Sequence, residues 1–283
     1  MRKVGIALGG GGARGCAHIG VLYGLRKIGV KPDLVTGTSI GAVVAALIAF
    51  GRTVEEIHNF FDIISLKTVF SLPGKNPSLS QWTKFESLMV EHIGRPTFAE
   101  ADIPLSVVAT NLIDRQEVVL DEGDVISAVL GSMAFPILLP PVERNGLVLV
   151  DGGVVNNVPF DVARARGATF VVAVDLSNSA PYGTSPLPTT KREPGLWGAA
   201  IDLTKRRPIF QVMTSVVDII NDRTTSARLA ISPPDIMIRP EINTIGLLDF
   251  FAVDDGITAG KNAVEQLLPK FQKYGFPPKA GEA

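Results

Sequence analysis

An α/β fold with a largely parallel sheet covered on both faces is predicted for this chain by three observations. Short apolar runs alternate with longer segments of helix-forming composition, and strands buried on both faces read as such runs. Two glycine clusters, Gly9 to Gly12 with Gly15 and the pair Gly37 and Gly41, fall where a strand should hand over to a helix. A length of 283 residues, 46% hydrophobic and 19% charged, suffices for one sizeable core.

The elements follow in order. Residues 4–8 form a first apolar strand, and a helix runs from Cys16 to about Lys27, stopped near Gly29 and Pro32. Residues 34–36 form a short buried strand, and the alanine-rich run 42–50 has helical composition. Thr53 with Glu56 is a capping box opening a helix to about Phe61, and Ser80 is placed to cap another over 82–92. The apolar stretches 60–64 and 69–74 either cover a groove or pack on the sheet. Strands return at 105–109, 117–120 and 169–175, separated by helices over 124–130 and 159–166. Asn145-Gly146 signals a hairpin between 142–144 and 147–150. Residues 177–195 read as a mobile loop, and a helix over about 209–229 carries more apolar residues than a narrow core stripe needs. It suits packing on the body, with a dimer interface or a membrane surface as alternatives. The chain reads as a single domain over 1–283, with a core at about 3–176 and a helical C-terminal part at 196–283.

Chemistry concentrates at the two handovers. Gly37-Thr38-Ser39-Ile40-Gly41 fits a nucleophile elbow, in which a tight turn exposes the serine hydroxyl at the positive end of a helix. The first cluster, Gly9 to Gly12 followed by Ala13, Arg14 and Gly15, can turn several backbone N–H groups toward one point. It also fits the dinucleotide pattern Gly-x-Gly-x-x-Gly, but that reading wants an acidic residue at the end of the second strand. Thr36 and Ser39 stand there instead, and Asp33 precedes the strand. Acyl chemistry fits better.

A serine nucleophile needs a base. The three histidines are His18, His58 and His92, and none lies beyond position 92, so the hydrolase order serine, acid, histidine is excluded if the acid is any carboxylate after His92. His18 remains a candidate, although a histidine one turn into that helix suits a packed core role. Asp151 ends the strand 147–150 and is followed by Gly152 and Gly153. An Asp-Gly pair alone is a turn; at a strand's end it also suits a carboxylate presented to a cleft. Asp175 ends a strand without a glycine neighbour and is assigned a structural role.

These residues together resemble the patatin-like phospholipases, most closely the bacterial branch related to neuropathy target esterase. The similarity rests on Gly-Gly-Gly-Ala-Arg-Gly at 10–15, Gly-Thr-Ser-Ile-Gly at 37–41 and Asp-Gly-Gly at 151–153. Ala17 to Leu22, Gly131 to Pro136 and Asn156 to Pro159 continue it. It covers most of 3–176 and, more weakly, a helix from about Asp254 to Leu268. The resemblance implies a three-layer α/β/α sandwich with a mainly parallel sheet. It implies a lipid acyl hydrolase of phospholipase or lysophospholipase type, working through a serine–aspartate dyad without histidine. Carried onto this chain, Ser39 is the nucleophile, Asp151 its base, and the amides at Gly10, Gly11 and Gly12 the oxyanion hole. Ala13, Arg14, Gly15, Gly37, Gly41, Gly152 and Gly153 support the motifs. The family aspartate is often followed by Gly-Ala; here Gly153 takes the alanine's place. Arg14 is read as pinning the glycine loop through backbone carbonyls, with a lipid phosphate as the alternative partner.

Composition bounds the remainder. A formal net charge of -1 points to neither nucleic acid nor anionic membranes. One cysteine, Cys16, excludes an internal disulfide and reads as a small packing residue. No residues show metal-ligand spacing, so neither metal nor organic cofactor is expected. The basic start Met1-Arg2-Lys3 imitates a signal peptide, but Arg14 interrupts the apolar run. The expected location is cytoplasmic, with transient contact to a membrane surface. The expected partner is a lipid or fatty-acyl ester substrate, with a homodimer as the alternative use of the 209–229 helix. An acyltransferase and a non-enzymatic regulator are the competing function classes.

Overall fold

The computed structural model describes residues 2–67, 77–136, 138–177, 207–250 and 252–276. Strand β1 (Val4–Leu8) is buried throughout and lies between β2 (Leu34–Thr38) and β7 (Phe170–Val174), parallel to both. The sheet continues from β2 to β3 (Leu105–Asn111) and from β7 to β8 (Ile236–Ile238), again in parallel. Both faces of this central part are covered, which explains the unbroken apolar runs. Strand β8 contributes from the C-terminal part, which the sequence reading makes wholly helical; three residues, Ile236, Met237 and Ile238, are too short a run to announce a strand.

The far end of the sheet is antiparallel. Strand β4 (Gln116–Leu120) pairs with β3, and the hairpin of β5 (Val142–Arg144) and β6 (Leu147–Asp151) joins β3 through β6. The predicted turn forms, with Asn145 and Gly146 both at positive φ. The registers carry a consequence for function. Parallel β2 occupies β3 up to Thr38 opposite Val108, while antiparallel β6 ends with Asp151 opposite Ala109. Because β4 takes the other edge of β3 over the same stretch, β2 and β6 share one edge and meet with their C-terminal ends facing. Ser39 and Asp151 follow from that meeting.

Helices cover the sheet. Helix α1 (Cys16–Lys27) and helix α2 (Ile40–Ala49) form where expected, and α2 is buried along nearly its whole length. Helix α3 (Val54–Lys67) opens with the predicted reciprocal box: Thr53 Oγ1 accepts from the Glu56 amide, and Glu56 accepts from the Thr53 amide. Phe60 and Phe61 pack into the core, while Ile64 reaches the cavity described below. Helix α4 (Pro77–Ile93) begins earlier than predicted, so position 80 lies inside it rather than at its cap; proline at the first helical position is the stronger start signal. Helices α5 (Val125–Ser132) and α6 (Phe160–Ala165) complete the central region, the former capped by Asp124 accepting from the Ser127 amide.

Helix α7 (Arg207–Ile231) is amphipathic in an unexpected sense. Asn221 and Thr225 are buried and Val217 faces the cavity, whereas Val212, Val216, Ile219 and Ile220 remain exposed. Packing accounts for only one face. Helix α8 (Val253–Gln266), followed by α9 (Leu268–Lys273), lies against α1. The predicted stretch 69–74 and nearly all of the predicted loop 177–195 lie outside the described residues. Among those described, no helix is long and apolar enough to cross a membrane, and no group of three His, Cys, Asp or Glu side chains could hold a metal ion.

Candidate active site

Ser39 sits between β2 and α2 at φ 55° and ψ −127°, a conformation that costs a non-glycine residue about 1–3 kcal/mol. The surroundings hold it there. Its carbonyl accepts from the Ala42 and Val43 amides, and its own amide donates to Ser132 Oγ at 2.8 Å. The Ser132 hydroxyl donates in turn to the Val108 carbonyl at 2.5 Å. Gly41 is required because a Cβ there would stand 2.1 Å from the Leu8 carbonyl oxygen.

Ser39 Oγ donates to Asp151 Oδ2 at 2.6 Å. The other carboxylate oxygen accepts from the Gly153 amide at 2.7 Å. Thr110 Oγ1 donates to the Asp151 carbonyl, and the Asp151 amide donates to Ala134, so the strand end cannot drift. Asp151 is 3% exposed. Burial raises its pKa from 3.8 to about 6, opposed by the hydrogen bonds from Ser39 and Gly153. It is therefore mostly ionised at neutral pH and a stronger base than an ordinary aspartate.

The glycine loop needs one correction. The Gly10 amide donates to the Asn157 carbonyl at 3.1 Å, and Asn157 Nδ2 donates back to the Gly10 carbonyl at 3.4 Å. Gly10 is thus a brace, its N–H already engaged. The Gly11 and Gly12 amides find no hydrogen-bond partner among the described residues, and both residues line the cavity beside Ser39. Gly12 has φ 56°, which glycine adopts freely.

The histidines stand aside. His18 is fully buried, its Nε2–H donating to the Gly9 carbonyl at 2.8 Å, and burial lowers its pKa to about 4. It is outside the cavity lining and supports the loop as a neutral ring. His58 faces Asp62 one turn along α3, and His92 pairs with the Leu88 carbonyl and stacks edge-on against Phe60. Cys16 packs against Ala13 and Ala252, and burial pushes its thiol up to about 12, so it is inert. Asp175 is structural: it accepts from the Ser177 amide and from Arg239 Nε.

Arg14 meets a backbone carbonyl of a distant segment. Its Nε donates to the Ile245 carbonyl at 3.0 Å, and Nη1 lies 3.6 Å from Asp218 on α7. It thereby ties the loop to residues 242–250 and to α7; the Ala13 amide adds a bond to the Leu247 carbonyl. The cavity between these elements has a volume of about 150 Å³. Its walls are largely apolar, with Ile64, Phe85, Met133, Phe135, Leu139 and Phe250 among them, and Ser39 and Asp151 also line it.

The patatin-like phospholipase family matches residues 6–164, more than half of the chain. The chain belongs to that family. Among curated relatives, an NTE family protein of Mycobacterium tuberculosis is 29% identical over 94% of this chain and 46% of its own length. Patatin-like phospholipase domain-containing protein 7 of Rattus norvegicus is 33% identical over 62% of this chain and 14% of its own. A lysophospholipase of Candida glabrata is 28% identical over 98% and 17%. The chain spans less than half the length of these relatives. Among solved structures, VipD from Legionella pneumophila overlays with a TM-score of 0.50 at 15% identity, covering 95% of this chain and 67% of VipD. That likeness concerns the patatin fold.

Two groups escaped the sequence reading. Ser132 lies within a stretch that carries the patatin resemblance, but nothing local says that its hydroxyl meets the Ser39 amide. Asn157 likewise belongs to a matched stretch, and only the fold places its carbonyl on Gly10.

Proposed function

We propose that this patatin-like chain is a serine lipid acyl hydrolase of phospholipase or lysophospholipase type. The observation that carries the reading is the 2.6 Å hydrogen bond from Ser39 Oγ to a buried Asp151 carboxylate, both lining a largely apolar cavity. Ser39 Oγ attacks the ester carbonyl as Asp151 Oδ2 takes its proton. The carbonyl oxygen becomes negative and is met by the Gly11 and Gly12 amides, preorganised donors of the kind whose removal costs about 3 kcal/mol of transition-state stabilisation. Collapse breaks the ester bond, and the leaving alkoxide recovers the proton from Asp151. Water then attacks the acyl-serine, Asp151 accepts its proton, and Ser39 is released with the free acid.

The apolar walls suit a fatty-acyl chain, and the names of the relatives agree with a lipid ester. An alcohol in place of water would make the same intermediate serve an acyltransferase. The exposed apolar face of α7 suits a lipid surface or a second copy of the chain. A fluorophosphonate should add one mass increment to the wild type and none to Ser39→Ala. A folded wild type that takes up no label would mean an inert site and a binding or regulatory role instead.

A further inference from the structure

Three side-chain oxygens crowd one point beside the dyad. Around the position that a Cβ on residue 153 would occupy lie Asn157 Oδ1 at 3.0 Å, Asp151 Oδ1 at 3.1 Å and Asn221 Oδ1 at 3.7 Å. Their orientations have separate causes. Asp151 Oδ1 is fixed by the Gly153 amide, and Asn157 Oδ1 by its own Nδ2, which donates to Gly10. Asn221 comes from α7, is 8% exposed, and its Oδ1 is buried with no hydrogen-bond partner among the described residues. A buried acceptor left unpaired is destabilising unless something donates to it. Asp151 Oδ1 already accepts from the Gly153 amide, but Asn221 Oδ1 beside it has no donor among the described residues, and acceptors grouped this way suit a ligand that carries hydrogens: a small hydroxylic molecule with two donors fits, and an anion does not.

The notch adjoins the reaction centre. Asn157 Oδ1 is 2.6 Å and Ser39 Cβ 3.0 Å from the point where a Gly10 Cβ would stand, and Asp151 bonds Ser39 through its second oxygen. Gly153, Asp151, Asn157 and Asn221 all line the cavity.

We infer that Gly153, Asn157 and Asn221 form, with Asp151, the seat of the hydroxylic nucleophile that resolves the acyl-serine, and that its occupant is water. The Asn221 and Asn157 carbonyls accept one hydrogen of the water, and Asp151 accepts the other as the oxygen attacks the acyl carbon. The new C–O bond forms as the C–Oγ bond breaks, and the proton passes from Asp151 to Ser39 Oγ. Acylation does not use the notch; deacylation does. The inference rests on Ser39 being the acylated residue, and the test separates the two.

The test is rapid-mixing kinetics with a p-nitrophenyl ester on wild type, Asn221→Ala and Asn221→Leu, alongside the rate of fluorophosphonate labelling. Both variants should label at the wild-type rate and release a burst of one equivalent of p-nitrophenol, then turn over about ten- to a hundredfold more slowly. Labelling that falls in step with turnover would show damage to the dyad and overturn the inference. Turnover equal to wild type would overturn it as well. An acid limb displaced in Asn221→Leu, without slowed deacylation, would assign that amide to the carboxylate instead. With glycerol present, free acid as the product supports water in the notch, and a dominant glyceryl ester overturns water as the occupant. Failure of wild type to form any Ser39 adduct would instead bring down the hydrolase reading on which the inference depends.

Discussion

Replacing Asp151 by asparagine should destroy activity and stabilise the protein, in a way that depends on pH. The substitution keeps shape and hydrogen bonding: the new Oδ1 still accepts from Gly153, and Nδ2 faces Ser39 Oγ. What it removes is a charge buried to 3% exposure. Burial moves the carboxyl from 3.8 to about 6, and at about 1.4 kcal/mol per pH unit the ionised form costs the fold about 3 kcal/mol above both values. The sign is fixed by proton counting. Between those two values the folded state holds more protons than the unfolded one, so wild-type stability falls as pH rises through this window and is level above it. The neutral His18, lowered from 6.5 to about 4, gives the opposite slope over nearly the same range, so the quantity to measure is the difference between variant and wild type, in which His18 cancels. Urea unfolding at pH 4 and pH 8 should show Asp151→Asn gaining about 2.5 kcal/mol relative to wild type between the two. Ester hydrolysis at pH 8 should fall by about 10²- to 10⁴-fold, the range of a lost general base. A difference that stays flat with pH would refute the desolvated carboxylate. Turnover within tenfold of wild type by the folded variant would refute its role as base.

Wild-type kcat/KM should rise with pH along an acid limb centred near 6, where Asp151 ionises; a limb near 4 would show a solvated carboxylate. Ser132→Ala leaves the Ser39 amide without its acceptor, so the strained turn should relax. Fluorophosphonate labelling should slow at least about tenfold, with about 1–3 kcal/mol lost in denaturant unfolding; unchanged labelling would show that α2 alone holds the turn. Arg14→Met removes the tie to Ile245 and strands a partly buried Asp218. Stability should drop by about 2 kcal/mol, and neutral esters and phospholipids should lose rate equally. A loss confined to phospholipids would place a head group on Arg14.

The local parts of the site were legible because their determinants are local. Glycine at 37 and 41 with serine between them marks a strand-to-helix turn whatever surrounds it, since close backbone packing tolerates nothing larger at those places. The capping box at Thr53, the Asn145-Gly146 turn and the apolar runs of β1, β2 and β7 are read the same way. Strand β8 was missed because a three-residue strand carries no periodicity, and the start of α4 because a cap-like serine at 80 competed with Pro77.

The sequence by itself determined the strand-to-helix turn at Ser39, the glycine loop, the alternating elements and the candidate carboxylate; only tertiary structure decided what they do to one another. Ser39 and Asp151 are 112 residues apart and meet because a parallel and an antiparallel strand share one edge of β3 and end face to face. Gly10 was read as a donor, yet its amide is turned away from that role by an asparagine carbonyl 147 residues further on. Ser132 and Asn221 look like ordinary polar residues of amphipathic helices until α5 and α7 bring them against the turn and the carboxylate. Hydrogen-bond partners and desolvation are properties of what closes around a group. A chain encodes them only through the packing of distant segments, which no local pattern displays.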